Sequence, residues 1–396
     1  MSNNQIQKKA NVPTLRFPEF SGEWERRTIG RDCEINMCKR IFSSQTSETG
    51  DVPFYKIGTI GGEADAYIAQ DLFEEYKSKY NFPEKGEVLI SCAGTVGKTV
   101  IYDGRPAYFQ DSNIVWISNP TKLYLNEFLQ YVLSRVDWRK LNTTTIVRIY
   151  NDNLRELTIN FPSTAEQQKI VGLLSKIDER IAIQNKVIER LQSLIRALTD
   201  KAFIDLTSGN MVNFEQLYSD AGEGGTPSTS NTEYYEGGTI PFIKIDDLSE
   251  KYLQRNKDFI TETGLSKSSA WIIPSNSVIY SNGATIGAIS INTYPVTTKQ
   301  GILGIVPHAS VSTEYLYYLM SSTYFRKEVE RIITEGTMKT AYLKDINKIK
   351  CPLPNWETQQ RISYSLALLS EKNDGERAAL IAYERIKKSL LHSLFI

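Results

Sequence analysis

Histidine is nearly missing from this sequence: the 396 residues hold two, His308 and His392. Cysteine is scarce too, at Cys33, Cys38, Cys92 and Cys351. A zinc site takes about four N, S or O ligands in close local pairs. Cys33-x4-Cys38 is not such a pair and no histidine lies near it, so we read the cysteines as free thiols and expect no metal. Both histidines fall in the second half, where they make no persuasive Ser/His/Asp order. Long apolar runs are also lacking. None approaches the roughly 18 residues of a membrane span. The polar opening Met1-Ser2-Asn3-Asn4-Gln5 is unlike a signal peptide, so the expected location is cytoplasmic, with no membrane partner. Net charge is absent as well, 46 basic against 46 acidic residues. Strong nucleic-acid binders often carry a basic surplus, yet a neutral chain can present a basic face. Arg135, Arg139, Lys140 and Arg148 stand against Asp137 alone in 135–150, and Lys339, Lys344, Lys348 and Lys350 against Asp345 alone in 339–350.

Motifs for small-molecule chemistry are thin. Gly94-Thr95-Val96-Gly97-Lys98-Thr99 looks like the end of a phosphate-binding loop, but the glycine required five residues before Gly97 is Cys92. No Gly-x-Gly fingerprint follows a strand-like run. Asn119-Pro120 continues into Thr121-Lys122 rather than the Pro-aromatic of an amino-methyltransferase, and there is no Pro-Asp dipeptide of the commonest nuclease motif.

What the chain does have is a repeat. Val88-Leu89-Ile90-Ser91-Cys92-Ala93-Gly94-Thr95-Val96-Gly97 resembles Val278-Ile279-Tyr280-Ser281-Asn282-Gly283-Ala284-Thr285-Ile286-Gly287, 190 positions later. The lysine position of the first copy holds Ala288 in the second, which favours a turn-forming motif over a catalytic one. The same offset places Gln110 on Gln300, while Pro53-Phe54-Tyr55-Lys56-Ile57 matches Pro241-Phe242-Ile243-Lys244-Ile245. Further on the offset becomes 192 without a gap, from Leu154 on Ile346 to Phe203 on Phe395. In each half, short β-branched runs bounded by Gly, Pro and Asn predict strands. Helical stretches follow over Leu125 to Leu141 and Thr313 to Ile333. The Gly/Ser/Thr-rich segment 221–232 reads as an exposed loop.

The strongest structural signal closes each half. Ile170, Leu174, Ile177, Ile181, Gln184, Ile188, Leu191, Ile195, Leu198 and Ala202 alternate steps of four and three, an a/d seam over more than four heptads. Thr164 is the expected N-cap. About 36 helical residues would span roughly 54 Å, and such a seam needs a partner helix. The second copy supplies Ile362, Leu366, Leu369, Leu380, Tyr383, Leu390 and Leu394, with Asn373, Glu376 and Lys387 at seam positions and a weak point at Gly375. The fold class expected is α+β: a duplicated mixed α/β domain plus a long helix, the two helices forming an antiparallel coiled coil. The boundaries expected are a first globular domain at 1–163, a helix at 164–205, a second domain at 206–355 and a helix at 356–396.

Candidate contact residues come from the globular halves. Tight glycine turns let a backbone approach a phosphate or groove wall. Glutamine can bond adenine bidentately, and lysine can bond guanine or phosphate. The candidates are Lys56, Thr95, Lys98, Gln110 and Arg148 in the first half, and Lys244, Asn282, Thr285, Lys299, Gln300 and Lys339 in the second. Tyr55, Tyr108, Tyr150 and Tyr342 are core or contact residues; sequence does not decide.

Taken in order, these motifs resemble the specificity subunit of a type I restriction–modification system. The resemblance includes Leu15-Arg16-Phe17-Pro18-Glu19-Phe20 with Gly22-Glu23-Trp24, the Gly-Thr-Val-Gly-Lys turn, Gln167-Gln168-Lys169-Ile170 entering the helix, and Tyr383-Glu384-Arg385-Ile386-Lys387-Lys388-Ser389-Leu390-Leu391. It implies two target recognition domains reading a split site in double-stranded DNA, with the paired helices as a ruler for the spacer. It implies two modification methyltransferase subunits and two restriction/translocase subunits as partners. S-adenosylmethionine, ATP and Mg would belong to those subunits, with no cofactor and no catalysis in this chain. Three other readings stay open on sequence: the DNA-recognition subunit of a related methylation or defence system without a restriction partner, a coiled-coil scaffold that does not bind DNA, and an NTPase built on Gly94–Thr99.

Overall fold

A computed structural model describes residues 11–140, 148–283, 285–333 and 340–396. The chain divides into two units: residues 1–183 with 380–396, and residues 184–379. Each unit therefore holds part of both long helices.

The first unit contains the strands β1 (Glu25–Thr28), β2 (Glu34–Met37), β3 (Val52–Tyr55), β4 (Tyr67–Ile68), β5 (Val88–Ser91), β6 (Thr99–Ile101), β7 (Tyr108–Phe109), β8 (Ile114–Ser118) and β9 (Thr158–Phe161). Its helices are α1 (Ile29–Asp32), α2 (Gln70–Lys79), α3 (Asn126–Ser134), α4 (Asn151–Arg155) and the first part of α5 (Thr164–Leu206). A four-stranded sheet runs β2-β8-β5-β6, a three-stranded one β4-β3-β7, and β1 pairs with β9. Residues alternate faces along a strand, and both faces of the larger sheet are used. Val88, Ile90, Val115 and Ile117 join a core with α3 and the start of α5, while Leu89, Ile114 and Trp116 join a second core with the smaller sheet.

The second unit repeats the plan with β10 (Met211–Asn213), β11 (Tyr218–Glu223), β12 (Ile240–Ile243), β13 (Tyr252–Leu253), β14 (Asp258–Ile260), β15 (Val278–Ser281), β16 (Ile289–Asn292), β17 (Thr297–Thr298), β18 (Ile302–Pro307) and β19 (Lys350–Pro352). Its helices are α6 (Glu262–Ser266), α7 (Thr313–Ser321), α8 (Thr323–Ile332), α9 (Leu343–Ile346) and most of α10 (Trp356–Ser393). The sheets run β11-β18-β15-β16-β13 and β14-β12-β17, and β10 pairs with β19. The added strand β13 is the main departure from the first unit. Val278, Tyr280, Leu303 and Ile305 face one core, Ile279 and Ile302 the other.

Four expectations about local structure need correction. The stretch expected to be helical from Leu125 to Leu141 is helix only over Asn126–Ser134, and 135–140 are turns and irregular backbone. The helical stretch from Thr313 to Ile333 is two helices, because Ser322 leaves the helical conformation and its hydroxyl accepts from the Phe325 amide as the N-cap of α8. Ala221–Glu223 belongs to β11, and the loop after it is closed at its start, where Gly224 and Gly225 are buried, and exposed over 228–230. A Cβ on Gly224 would sit 2.1 Å from the Thr298 carbonyl oxygen, so glycine is there for close approach. The cap of α5 is Ser163, whose hydroxyl accepts from Glu166 at 3.4 Å, rather than Thr164.

The long helices pair antiparallel as a coiled coil. In the first unit Asp178 of α5 meets Lys387 of α10 at 2.5 Å and accepts from the Tyr131 hydroxyl at 2.7 Å. In the second, Gln184 donates to the Glu376 carbonyl at 3.0 Å and to its carboxylate. Lys387 and Glu376, two of the polar seam positions of α10, thus find polar partners on α5, the arrangement by which buried polar layers specify register. Ile170, Leu174, Ile188 and Leu366 are buried; Ile177, Ile181, Leu191, Ile195, Ile362, Leu369, Leu380, Tyr383 and Leu390 are half-buried. Leu198 is not in the seam: it is 39% exposed and Thr199 is 5% exposed. A 3.6-residue helix drifts from a strict heptad, and the buried face turns toward Phe203, which enters the core of the second unit.

Each long helix is fastened to its unit by the first glutamine of the Gln-Gln motif. Gln167 is fully buried; its amide donates to the Leu123 and Pro162 carbonyls (3.1 and 3.0 Å), and its carbonyl accepts from Leu125 at 2.8 Å. Gln359 does the same with Ser310, Pro354 and Ser312 at 3.1, 3.0 and 2.9 Å. Leu125 and Ser312 are the N-cap residues of α3 and α7. Among the described residues no helix is long and apolar enough to cross a membrane.

Candidate nucleic-acid interface

In each unit three segments that are far apart in sequence converge where the central strand ends. In the first unit β5 turns back into β6. Gly97 donates to the Ser91 carbonyl at 2.9 Å, Lys98 donates its amide to the Ser91 hydroxyl at 3.1 Å, and that hydroxyl donates to the Thr95 carbonyl. Gly94 and Gly97 have φ of +63° and +84°. A Cβ on Gly97 would fall 2.2 Å from Cδ1 of Trp138, so the turn needs glycine both for its conformation and for space. The element after the turn is the antiparallel strand β6, not a helix. A phosphate-binding loop relies on the helix N-terminus that follows it, so this topology removes the physical basis of the NTPase reading.

The second segment follows β7. Gln110 donates its amide to Tyr55 at 2.9 Å, and its side-chain oxygen accepts from Ile57 at 3.3 Å; Asn113 accepts from Cys92 at 2.7 Å. The third enters at Ile149, whose amide donates to the Cys92 carbonyl at 2.8 Å, and Arg148 reaches the Ser112 hydroxyl at 3.3 Å. Thr95, Lys98, Gln110 and Arg148 therefore surround the end of β5. Thr95 and Lys98 are exposed, Gln110 and Arg148 half-buried. Lys56, at the end of β3, is half-buried and paired with Asp65 at 2.9 Å.

The second unit forms the same knot. Gly287 donates to Ser281 at 3.0 Å, Asn282 to Gly301 at 3.0 Å, and Ala341 to Asn282 at 2.9 Å. Thr285, Lys299 and Gln300 are exposed here, and Lys244 pairs with Asp258 at 2.7 Å. Lys339 lies outside the described residues. Two expectations change. Asn282 is fully buried and its side-chain amide donates to the Ala341 carbonyl at 3.1 Å, so it ties the knot together instead of facing a ligand. The structural counterpart of Gln110 is Lys299, whose amide donates to Ile243 at 2.9 Å as that of Gln110 donates to Tyr55. The 190-residue offset slips by one there, which places Gln300 one residue farther along the turn.

Arg40, paired with Asp111 at 2.6 Å, and Ser112 also border this surface. No spacing in the sequence points to either, because each arrives through tertiary contact. Among the described residues no three His, Cys, Asp or Glu side chains gather to hold a metal ion. All four thiols are free and buried. Burial pushes the thiols of Cys33, Cys38 and Cys92 up to about 12. Together with the exposed polar rim, the knots offer donors and cations to an anionic or polar surface.

Comparison with known proteins agrees with the duplication. A family model described as the type I restriction modification DNA specificity domain matches twice, over residues 21–193 and 219–382. A type I restriction enzyme specificity subunit of Haemophilus influenzae is 49% identical over 157 residues, 40% of this chain; the match spans 40% of that relative's length. A type I restriction enzyme specificity subunit of Methanocaldococcus jannaschii is 23% identical over an alignment of 428 positions, covering 98% of this chain and 97% of the relative. The crystal structure of the type I restriction-modification system S subunit from M. genitalium has the same fold, with a TM-score of 0.60 at 20% identity over 97% of this chain and 99% of that one. With most of its length accounted for by two copies of one domain, the chain belongs to the type I restriction–modification DNA specificity family.

Proposed function

We propose that this chain is the non-catalytic subunit that reads a two-part sequence in double-stranded DNA. Each unit recognises one half of the target through the loops around the end of its central strand, and the paired helices set the spacer between the halves. Two methyltransferase subunits and two restriction/translocase subunits dock on it. S-adenosylmethionine, ATP and Mg serve those partners, and this chain holds none of them. The contact residues proposed are Lys56, Thr95, Lys98, Gln110 and Arg148 in one unit, and Lys244, Thr285, Lys299, Gln300 and Lys339 in the other. Lys56 and Lys244 would exchange an exposed carboxylate for a phosphate, a small step because exposed ion pairs contribute at most about 1 kcal/mol.

The observation that carries the reading is the same three-segment knot in two units whose rims share Thr95 and Thr285 but differ beside them: Lys98 and Gln110 at one, Ala288 and Lys299 at the other. A common frame with different rims suits two readers of different half-sites. The test is copurification with a methyltransferase followed by sequencing of the methylated DNA. A bipartite motif with a fixed gap is expected, and inserting four residues, one turn, beside Gln184 should change that gap. A continuous motif would sink the two-reader assignment, and an unchanged gap would sink the ruler.

A further inference from the structure

Tyr150 and Tyr342 lie 192 residues apart, at equivalent places in the two units. They are 59% and 45% exposed. Tyr364, the most exposed tyrosine among the described residues at 68%, has Gly172 as its counterpart, so exposure alone does not select this pair. Each of the two follows a buried residue tied to the central knot, Ile149 to Cys92 and Ala341 to Asn282. Each is extended, with φ/ψ of −98°/154° and −69°/140°, and is the N-cap residue of a short helix, α4 or α9. Each ring also carries a cation: the Arg148 guanidinium at 5.9 Å from the Tyr150 centroid, and the Lys344 ammonium at 5.5 Å from that of Tyr342. A rigidly based phenol beside a cation thus recurs on the same edge of both knots.

The rims around these tyrosines differ between the units, whereas the tyrosines do not. A feature shared by readers of two different sequences should meet what the two half-sites have in common, which is the sugar–phosphate backbone. We propose that Tyr150 and Tyr342 are matched backbone grips: each donates its hydroxyl to a DNA phosphate and lays its ring along the adjoining sugar, while Arg148 or Lys344 pairs with a neighbouring phosphate. This rests on the DNA-reading function proposed above. The grips set the depth and orientation of each knot on the duplex and read no base.

The test uses the chain co-expressed with its methyltransferase, with one duplex carrying the methylated motif and one carrying a scrambled sequence. Tyr150→Ala and Tyr342→Ala should each weaken binding to both duplexes by a similar factor, about five- to tenfold. Tyr→Phe at either site should show part of that loss, and the methylated motif should stay the same. Lys344→Gln should lower the log–log salt slope by about one. Full affinity in both alanine variants, or a loss confined to the motif-bearing duplex, would overturn the grips while leaving the DNA-reading function intact. A wild-type complex that binds neither duplex would overturn both.

Discussion

The starts of α5 and α10 show what the duplication preserved and what it released. At both, a buried glutamine ties the helix to the turn before it and to the N-cap of a neighbouring helix, with the same three backbone partners. One residue earlier the copies part. Glu166 is 2% exposed and is held by Arg16 at 2.8 Å and by the Trp24 indole at 3.3 Å, whereas its counterpart is the neutral Thr358. The segment bearing Arg16 and Trp24 also donates from Leu15 to the Ser393 carbonyl at 2.9 Å, and Trp24 packs against Phe395 at 6.3 Å. In the second unit α5, whose Phe203 matches Phe395, runs on to Leu206 and leads within a few residues into β10 at Met211. The joint between helix and domain is thus shared, and the covering over it is particular to the first unit.

The largest effect should come from breaking the shared part. Gln167→Leu strands the Leu125 amide and two carbonyls, and Gln359→Leu strands the Ser312 amide and two others. Each should destabilise its unit by about 3 kcal/mol, since every buried group left without a partner carries a desolvation penalty. Hydrogen exchange should localise the damage to the start of α3 in one variant and of α7 in the other. If only one variant loses protection, the two joints are not equivalent. Next in size is the unshared part. Arg16→Ala leaves the buried Glu166 carboxylate with one neutral donor and should cost about 2 kcal/mol, recovered in part by adding Glu166→Gln. Denaturant unfolding of the single and double variants would measure this; strict additivity would mean the pair is not coupled.

The smallest effect concerns the knots. At one of them Cys92 stands where the other has Asn282, whose amide adds a bond to Ala341. Cys92→Asn should find the Ile149 carbonyl in the same way and change stability by under about 1 kcal/mol. A larger loss would show that the knots differ in shape as well as in side chain. The thiol itself should resist alkylation near pH 8 in the folded protein. Burial raises the Cys92 thiol to about 12, against the pull of Arg148. The folded state thus favours the neutral thiol, and its contribution is complete below the ordinary thiol range and is lost as pH rises from about 9 toward 12. The Asn variant should lack that part of the alkaline destabilisation.

Much of this organisation was legible in residues. The repeat, the strand runs around Val88 and Val278, and the seam from Ile170 to Ile195 follow from periodicity, because apolar faces must be buried wherever they recur. The seam misled at Leu198, where the drift of a 3.6-residue helix and the pull of Phe203 into a core substitute Thr199. The rim was less legible. A turn can be seen in Gly94-x-x-Gly97, but the spacing does not say that Trp138 fills the space a Cβ would need, nor that Asn282 is consumed by Ala341 while Thr285 is left outside.

By itself the sequence determined that the chain is one plan made twice, with two long helices whose apolar stripes require each other. Those are local and periodic properties, carried by residue type and spacing. Tertiary structure alone decided which side chains around the two knots face outward. It also decided that Lys299, not Gln300, is the partner of Gln110, and that Tyr150 and Tyr342 share one setting. These depend on three segments from distant parts of the chain meeting at a strand end, where a single backbone hydrogen bond sets which neighbour is buried and which is free to touch something else.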